Sequence, residues 1–188
     1  MNESTVRCFL AAPMPVSIED SVQNALVTAR AQQSLGPVRW VAPRNWHLTL
    51  AFLGDRSASW ISTLQQALGS RPPAVTGSLP ILLRGRRISG FPDAKSRIVA
   101  LEFDDSSTLV QLKQQLDQVL QALGWQSDQP SFRPHVTLGR AGRDRRLHLR
   151  PVACEVEWPV TQVTLYQSTL KPGGSEYQAL WSVPVIGT

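Results

Sequence analysis

The sequence lacks several features that would assign it to a large functional class. Its 188 residues include only 2 cysteines, Cys8 and Cys154, which lie far apart and belong to no C-x-x-C pattern. Neither a disulfide framework nor a zinc site is therefore indicated, and we expect two buried structural thiols. No apolar run approaches the ~20 residues that a bilayer-spanning helix requires, so we expect no membrane association.

Signatures of other classes are also missing. The sequence contains no G-x-S-x-G nucleophile elbow, and its histidines have no carboxylate or thiol at a diagnostic metal-binding spacing. The apolar stretch 8–16 follows Arg7, as in a signal peptide, but Pro13 and Pro15 interrupt it. We therefore predict a cytoplasmic protein without a metal or other cofactor, and no obligate protein partner is evident.

Positive charge is the first indication of a ligand. The formal net charge is +5, and 16 of the 19 basic residues are arginine. The guanidinium group suits phosphate and stacks on bases, and the arginines cluster at 84–87 and 140–150. A nucleic acid is one interpretation of this pattern, and a solvated basic surface is the other.

Apolar periodicity predicts three amphipathic helices. The first begins near Ser17, which caps it together with Asp20; the second begins near Ser57, and the third ends at Gly124. Strand-like segments surround them at 6–12, 47–53, 79–83, 98–103, 134–139, 152–158, 160–168 and 177–185. Because strands and helices do not alternate strictly, we predict an α+β fold with antiparallel pairing.

One four-residue pattern occurs twice. The segments 47–50 (HLTL) and 135–138 (HVTL) lie 88 positions apart, which is close to half the chain. We interpret this echo as a weak internal duplication, in which two similar lobes each contribute one strand to a shared cleft.

The repeated pattern suits proton transfer at a phosphate. Side chains two positions apart share one face of a strand, so His47 projects with Thr49, and His135 with Thr137. An imidazole, with a pKa of about 6.5, can act as base or acid near neutral pH. A histidine in a strand is often a hydrogen-bonded core residue instead, but two of only three histidines occupy the same pattern. The third, His148, is predicted to lie at the surface.

Longer segments around these motifs resemble a known family. They are 7–11 (RCFLA), 40–54 (WVAPRNWHLTLAFLG), 132–140 (FRPHVTLGR) and 165–170 (LYQSTL), followed by Gly174 and Tyr177. The chain resembles the RNA 2′,3′-cyclic phosphodiesterases, also called 2′-5′ RNA ligases, of the two-histidine (2H) phosphoesterase superfamily. The resemblance implies a single bilobal α+β domain over 1–188, with two pseudo-symmetric lobes of antiparallel sheet, helices packed outside and a shared central cleft.

The resemblance also implies an activity. It is hydrolysis of the terminal 2′,3′-cyclic phosphate of RNA, or of a cyclic nucleotide, to a 2′-phosphomonoester without a metal. The reacting set would be His47 as proton donor, His135 as proton acceptor, Thr49 and Thr137. The alternatives are an ATP-independent, reversible 2′-5′ RNA ligase and a nucleotide- or RNA-binding module without catalysis.

Arg140, Arg133 and Phe9 are predicted to bind substrate, and Phe52 is a further candidate. The resemblance assigns Arg140 to phosphate or RNA, although an unbroken strand would turn a residue five positions after His135 to the opposite face. A bulge or strand end just before Arg140 would restore its direction. Arg133 has the right parity for the cleft. Phe9 and Phe52 could each stack on a base, with core packing as the alternative.

Overall fold

The computed structural model describes residues 4–33, 35–93, 95–127, 131–171 and 174–187. Three α-helices lie in these ranges: α1 (Glu19–Gln32), α2 (Ala58–Ser70) and α3 (Ser107–Ala122). The strands are β1 (Thr5–Pro13), β2 (Val38–Trp40), β3 (His47–Ser57), β4 (Ala74–Val75), β5 (Ile81–Phe91), β6 (Ile98–Phe103), β7 (His135–Ala141), β8 (Val152–Val160), β9 (Gln162–Lys171), β10 (Gly174–Pro184) and β11 (Ile186–Gly187). Short 3-10 turns at Val16–Ile18 and Pro43–Asn45 precede α1 and β3.

One antiparallel sheet organises the molecule. Its strand order is β10-β9-β1-β3-β7-β6-β5-β8, and β2 pairs with β7. The two motif strands, β3 and β7, are neighbours at the centre, with four strands of the order on each side of the line between them. We call β1, β3, β9 and β10 lobe 1, and β5 to β8 lobe 2. The predicted α+β fold with a large antiparallel sheet is confirmed.

The helices exchange sides between the lobes. The chain places α1 between β1 and β3, yet α1 packs on β8 and β5 of lobe 2. The matching helix of lobe 2, α3, lies between β6 and β7 and packs against α2 and β4. Indole hydrogen bonds join these parts: Trp60 donates to the carbonyl of Leu123 at 3.0 Å, and Trp125 donates to that of Phe52 at 3.2 Å. Each lobe is therefore covered partly by chain from the other.

Apolar stripes bury the helices as the periodicity predicts. Full burial of a leucine side chain stabilises a fold by about 1.5–3 kcal/mol. The buried positions are Val22, Leu26 and Ala29 in α1, Leu64 and Leu68 in α2, and Leu109, Leu112, Leu116 and Leu120 in α3. None of the helices in the described ranges is both long and apolar enough to cross a membrane.

Two of the three predicted helix ends agree with the structure. Ser57 caps α2 by accepting a hydrogen bond from the backbone nitrogen of Trp60 at 3.2 Å, and Gly124, with φ of 77°, follows α3. The predicted cap at Ser17 is wrong. Ser17 lies inside a 3-10 turn that Ile18 closes onto the Pro15 carbonyl, so the chain is already coiled before α1 begins.

Every predicted strand overlaps a strand of the structure, and all of them except 98–103 are shorter than the observed strand. The largest difference is β5, which was predicted over 79–83 but continues to Phe91. Pairing with β6 on one side and β8 on the other extends it through the arginine-rich segment 84–87. Both cysteines are free and buried, as predicted, and burial raises the pKa of each thiol to about 11.

Candidate active site

His47 and His135 occupy equivalent positions and make the same backbone contact. The Nδ1 atom of His47 lies 2.7 Å from the Asn45 carbonyl, and that of His135 lies 2.9 Å from the Arg133 carbonyl. A carbonyl only accepts hydrogen bonds, so each Nδ1 carries a proton and donates it. Each Nε2 is therefore left as the atom that takes up or releases a proton.

The β3–β7 pairing brings the four motif side chains together. Leu48 lies opposite Val136, so the antiparallel register sets His47 beside Thr137 and Thr49 beside His135. The two histidines are then diagonal neighbours, which in such a ladder are roughly 7–8 Å apart. The two strands therefore present both motifs on the same face of the sheet, where a shared cleft was predicted. Neither threonine hydroxyl is hydrogen-bonded to another residue of the described ranges.

A bulge follows each motif and changes which face the next residues occupy. Thr49 and Ala51 pair with consecutive residues of β1, so Leu50 is passed over. Leu138 is passed over in the same way between β7 and β6. The fifth residue after each histidine therefore returns to the cleft face. These residues are Phe52 and Arg140, so the bulge that Arg140 required is present.

Glycine at position 139 is required by a close neighbour. A Cβ atom there would lie 2.6 Å from the ring of Trp40, which is paired with Gly139 on the neighbouring strand β2. The short strand β2, which the sequence did not predict, thus pairs with β7 beside the bulge. The indole of Trp40 also lies 5.0 Å from the Arg30 guanidinium, which links this segment to α1.

Aromatic rings surround the histidine of lobe 1. The ring centroid of Phe9 lies 4.8 Å from that of His47, and Phe9 stacks on Tyr166 at 5.3 Å. Tyr177 and His47 form a T-shaped pair with centroids 5.1 Å apart. Phe9 is only 4 % exposed, so it supports His47 and presents little surface to a base. Phe52, 6.3 Å from Phe9, is 53 % exposed and offers that surface instead.

A stacked ring and an ion pair hold the histidine of lobe 2. Phe91 stacks on His135 at 3.8 Å with an interplanar angle of 20°. The guanidinium of Arg133 lies 4.9 Å from the Phe91 ring, donates to the Pro92 carbonyl at 2.9 Å and lies 3.2 Å from the Glu102 carboxylate. Arg133 was predicted to bind substrate. In the structure its guanidinium instead contacts protein groups next to His135.

Glu102 is the centre of this network. Its carboxylate accepts hydrogen bonds from Ser89 and from Arg87 as well as from Arg133. Burial alone would raise its pKa, but these hydrogen bonds and the two arginine charges hold the pKa below its ordinary value. The carboxylate is therefore ionised at neutral pH. In lobe 1, Asn45 takes the position of Arg133, two residues before the histidine. It makes a single weaker contact, in which its amide donates to the Ser175 carbonyl at 3.4 Å.

Burial lowers the pKa of both histidines. That of His47 falls to about 4, mainly through desolvation and further through the charges of His135 and Arg140. Desolvation also lowers the pKa of His135, while Glu102 opposes the shift. Both imidazoles are therefore neutral at pH 7 when no anion occupies the cleft.

Three arginines create a positive field beside the histidines. Arg140 lies opposite Arg39 on β2, and its other neighbour is Ile98, which Arg97 precedes. Desolvation and the charges of Arg39 and Arg97 lower the pKa of Arg140. An arginine stays protonated nonetheless, so an anion is the group that would relieve this repulsion.

The site contains residues that the sequence did not assign to it. Phe91 lies outside the predicted strands, Glu102 was not singled out, and Tyr177 was noted only as part of the C-terminal segment. Phe52, by contrast, was already a candidate for stacking on a base, and it follows His47 by the same five positions that separate Arg140 from His135. His148, predicted at the surface, is exposed.

The arrangement suits a diester phosphate. The two Nε2 atoms lie on the same face of the sheet. The two threonine hydroxyls and the Arg140 guanidinium are available to bind the phosphate oxygens. An acid and a base that act on opposite sides of phosphorus require such an arrangement. Within the described ranges, no group of three or more His, Cys, Asp or Glu side chains is placed to hold a metal ion. Fold and site together are those of a two-histidine phosphoesterase.

Comparison with known proteins identifies the family. Residues 18–171 match the model of the 2′-5′ RNA ligase superfamily. The chain is 32% identical to the RNA 2′,3′-cyclic phosphodiesterase of Thermus thermophilus, over 93% of this chain and 88% of that protein. It is 31% identical to the Escherichia coli protein of the same name, over 93% of each. The E. coli LigT structure complexed with 3′-AMP superposes with a TM-score of 0.77 at 27% identity, covering 96% of this chain and 98% of LigT. The chain belongs to the 2′-5′ RNA ligase superfamily.

Proposed function

We propose that this protein hydrolyses the 2′,3′-cyclic phosphate at the 3′ end of RNA and leaves a 2′-phosphomonoester. The observation that carries the proposal is the pair of imidazoles on adjacent central strands, each with Nδ1 bound to a carbonyl and Nε2 left for the cleft. The relatives named RNA 2′,3′-cyclic phosphodiesterase and the LigT complex with 3′-AMP supply the substrate class. A cytoplasmic location belongs to the same proposal.

The chemistry needs two proton transfers. Nε2 of His135 removes a proton from water, whose oxygen bonds to phosphorus, and the bond between phosphorus and the 3′ oxygen breaks. Nε2 of His47 delivers its proton to that oxygen. The hydroxyls of Thr49 and Thr137 and the guanidinium of Arg140 bind the non-bridging oxygens, where negative charge increases in the transition state.

Substrate binding must also supply a proton. His47 is neutral at pH 7 in the empty site because its pKa lies at about 4. A bound phosphodiester anion favours the imidazolium and raises that pKa. Binding of the cyclic phosphate is therefore coupled to uptake of one proton. Calorimetry in buffers of different ionisation enthalpy measures this uptake directly.

Product analysis tests the proposed reaction. An oligonucleotide ending in a 2′,3′-cyclic phosphate should yield only the 2′-phosphate, and no joined product should accumulate. A 3′-phosphate product would contradict the proposed direction of cleavage. Accumulation of a 2′-5′-joined product with a 5′-hydroxyl acceptor would favour the ligase alternative, and binding without turnover would favour a non-catalytic module.

Sulfur substitution tests the two histidine roles. A substrate with sulfur in place of the 3′ bridging oxygen expels a thiolate, which needs little help from an acid because thiol pKa values lie near 8.5. Loss of the donor should then cost little, while loss of the acceptor should still be severe. His47→Ala should accordingly be rescued by this substrate and His135→Ala should not. The opposite result would exchange the two roles.

A further inference from the structure

The two arginine clusters differ in how their charges are neutralised. On β5, Arg84 lies 3.7 Å from Glu157, Arg86 lies 2.6 Å from Asp104, and Arg87 lies 3.1 Å from Glu102. The arginines of segment 142–150 form no ion pair with another residue of the described ranges. The second cluster is therefore the one whose charge is available to a polyanion.

Part of that second cluster lines a groove. The groove has a volume of about 420 Å³ and runs between residues 92–93 and 95–97 on one side and 143–146 on the other. Four cations, Lys95, Arg97, Arg143 and Arg146, line it together with the carboxylates Asp93 and Asp144. The lining is thus net positive, and it contains no aromatic side chain. We call it the basic groove.

Both walls of the basic groove start at the active site. Pro92 follows Phe91, the ring stacked on His135. On the other wall, Arg143 lies three residues after Arg140, and three residues of extended chain span about 10 Å. Backbone hydrogen bonds join the walls, from Ala141 to the Arg97 carbonyl and from Leu147 to the Ser96 carbonyl, both at 2.8 Å.

We propose that the basic groove binds the phosphates of the nucleotides that precede the cyclic end, so that the RNA strand leaves the active site across lobe 2. This inference rests on the proposed function. Arginine and lysine contacts to phosphate are independent of base identity, and the groove offers no ring on which a base could stack. The strand is therefore held by its backbone beyond the terminal nucleotide, without sequence preference.

The chain offers a matched control within the same segment. The Arg145 guanidinium lies so close to Gly36 that a Cβ there would be 2.5 Å from it, and Arg150 donates its backbone nitrogen to the Gln33 side chain. Neither residue lines the basic groove. R145Q/R150Q therefore removes the same two charges as R143Q/R146Q without changing the groove.

Two substrates distinguish an effect on the basic groove from an effect on the catalytic site. One is a nucleoside 2′,3′-cyclic phosphate, and the other is a single-stranded oligonucleotide of eight residues with the same terminal nucleotide. For R143Q/R146Q, we expect KM for the oligonucleotide to rise about tenfold and that for the mononucleotide to stay unchanged. The plot of log affinity against log salt should lose about 1.4 from its slope, as expected for two lost contacts to a single strand. R145Q/R150Q should show neither effect, and K95Q, on the opposite wall, should show a smaller loss in the same direction.

Other outcomes would overturn the inference. Equal losses in the two double variants would mean that only net charge matters, and unchanged oligonucleotide affinity in R143Q/R146Q would mean that RNA leaves elsewhere. Melting curves identify any variant that has failed to fold, and K95Q then tests the groove independently. Oligonucleotide affinity is also measured by fluorescence anisotropy without turnover. A wild-type protein that binds but does not hydrolyse would refute the proposed function and leave the groove result intact.

Discussion

The two lobes repeat a backbone and differ in what they attach to it. In each, a histidine donates Nδ1 to the carbonyl two residues earlier, a threonine shares its face, and a bulge follows at the next leucine. The bulge then brings Phe52 to the cleft in lobe 1 and Arg140 in lobe 2. An exposed ring suits a base and a guanidinium suits a phosphate. We propose that the duplicated geometry supplies the two proton transfers and that the different fifth residues orient the substrate.

The largest effects should come from replacing the two motif histidines, which occupy equivalent positions in the two lobes. His47→Ala and His135→Ala should each reduce kcat/KM for a cyclic phosphate substrate by about 10²–10⁴-fold, the usual contribution of a general acid or base. His148→Ala, at an exposed position, is the matched control and should retain normal turnover. Steady-state kinetics on the three variants makes the comparison. Normal activity in either motif variant would remove that histidine from the mechanism.

Variants of Phe52 and Arg140, the fifth residues after the two histidines, should differ in which substrates they affect. Phe52→Ala should raise KM for a nucleoside cyclic phosphate by roughly 5- to 150-fold, because stacking on an aromatic side chain is worth about 1–3 kcal/mol per base. A ribose cyclic phosphate without a base should be unaffected. Arg140→Gln should impair both substrates. Equal losses on both substrates in Phe52→Ala would show that this ring supports the site and does not contact the base.

The pH dependence should distinguish the free protein from its complex. Turnover needs one neutral and one protonated imidazole, and both pKa values in the free protein lie below 6.5. The value of kcat/KM, which reports the free protein, should therefore already be falling below pH 6.5 as the pH rises. The bound anion raises both pKa values, so the descending limb of kcat should lie at higher pH. Identical descending limbs would contradict proton uptake on binding.

The same shifts make the fold sensitive to acid. A histidine whose pKa is lower in the folded state than its unfolded value of 6.5 contributes stability that is present above pH 6.5 and lost as pH falls. For His47 the loss extends to about pH 4. Denaturant unfolding at pH 5 and pH 7 should show this loss in the wild type, and less of it in His47→Gln.

Glu102 should have a smaller effect that appears in one lobe only. Glu102→Gln keeps the shape of the side chain but removes the charge that opposes the lowering of the His135 pKa. We expect kcat to fall about threefold to tenfold and the His135 limb of the pH profile to move to lower pH. Proton NMR titration of His135 measures the shift. A loss of activity with an unmoved titration would mean that Glu102 acts only on the fold.

The smallest expected effect is that of chelation. The two proton transfers are assigned to imidazoles, so turnover should be unchanged after incubation with EDTA. An assay before and after chelation is sufficient, with a zinc-dependent phosphodiesterase as the control for effective metal removal. Activity that disappears and returns on addition of zinc or manganese would contradict the assignment.

The sequence predicted the central part of the site because that part is local. A four-residue repeat specifies which side chains share a face, and its duplication predicts two adjacent strands. The family resemblance added Arg140, and strand parity then required a bulge, which the structure contains. Phe91 and Glu102 could not be placed in this way. Phe91 reaches His135 from β5, and Glu102 from β6, so their roles depend on strand order rather than on spacing.

Helix ends were likewise predicted correctly only where a single local signal decides them. The cap at Ser57 was predictable, since a serine before an apolar stripe satisfies the backbone nitrogen three residues later. Ser17 carries the same local signal, but Pro15 starts a 3-10 turn two residues earlier. Two local motifs compete there, and the sequence pattern alone does not rank them.

The exchange of helices between the lobes has a consequence for unfolding. Lobe 2 is one continuous stretch of chain, from Ile81 to Val160, and would be expected to fold as a unit of its own. The helix that covers β8 and β5, however, is α1, which lies more than forty residues before lobe 2 begins. Detaching either lobe would expose the apolar surface that the other lobe's chain covers. We therefore expect the two halves to melt together, in a single calorimetric transition whose van't Hoff enthalpy equals the measured enthalpy.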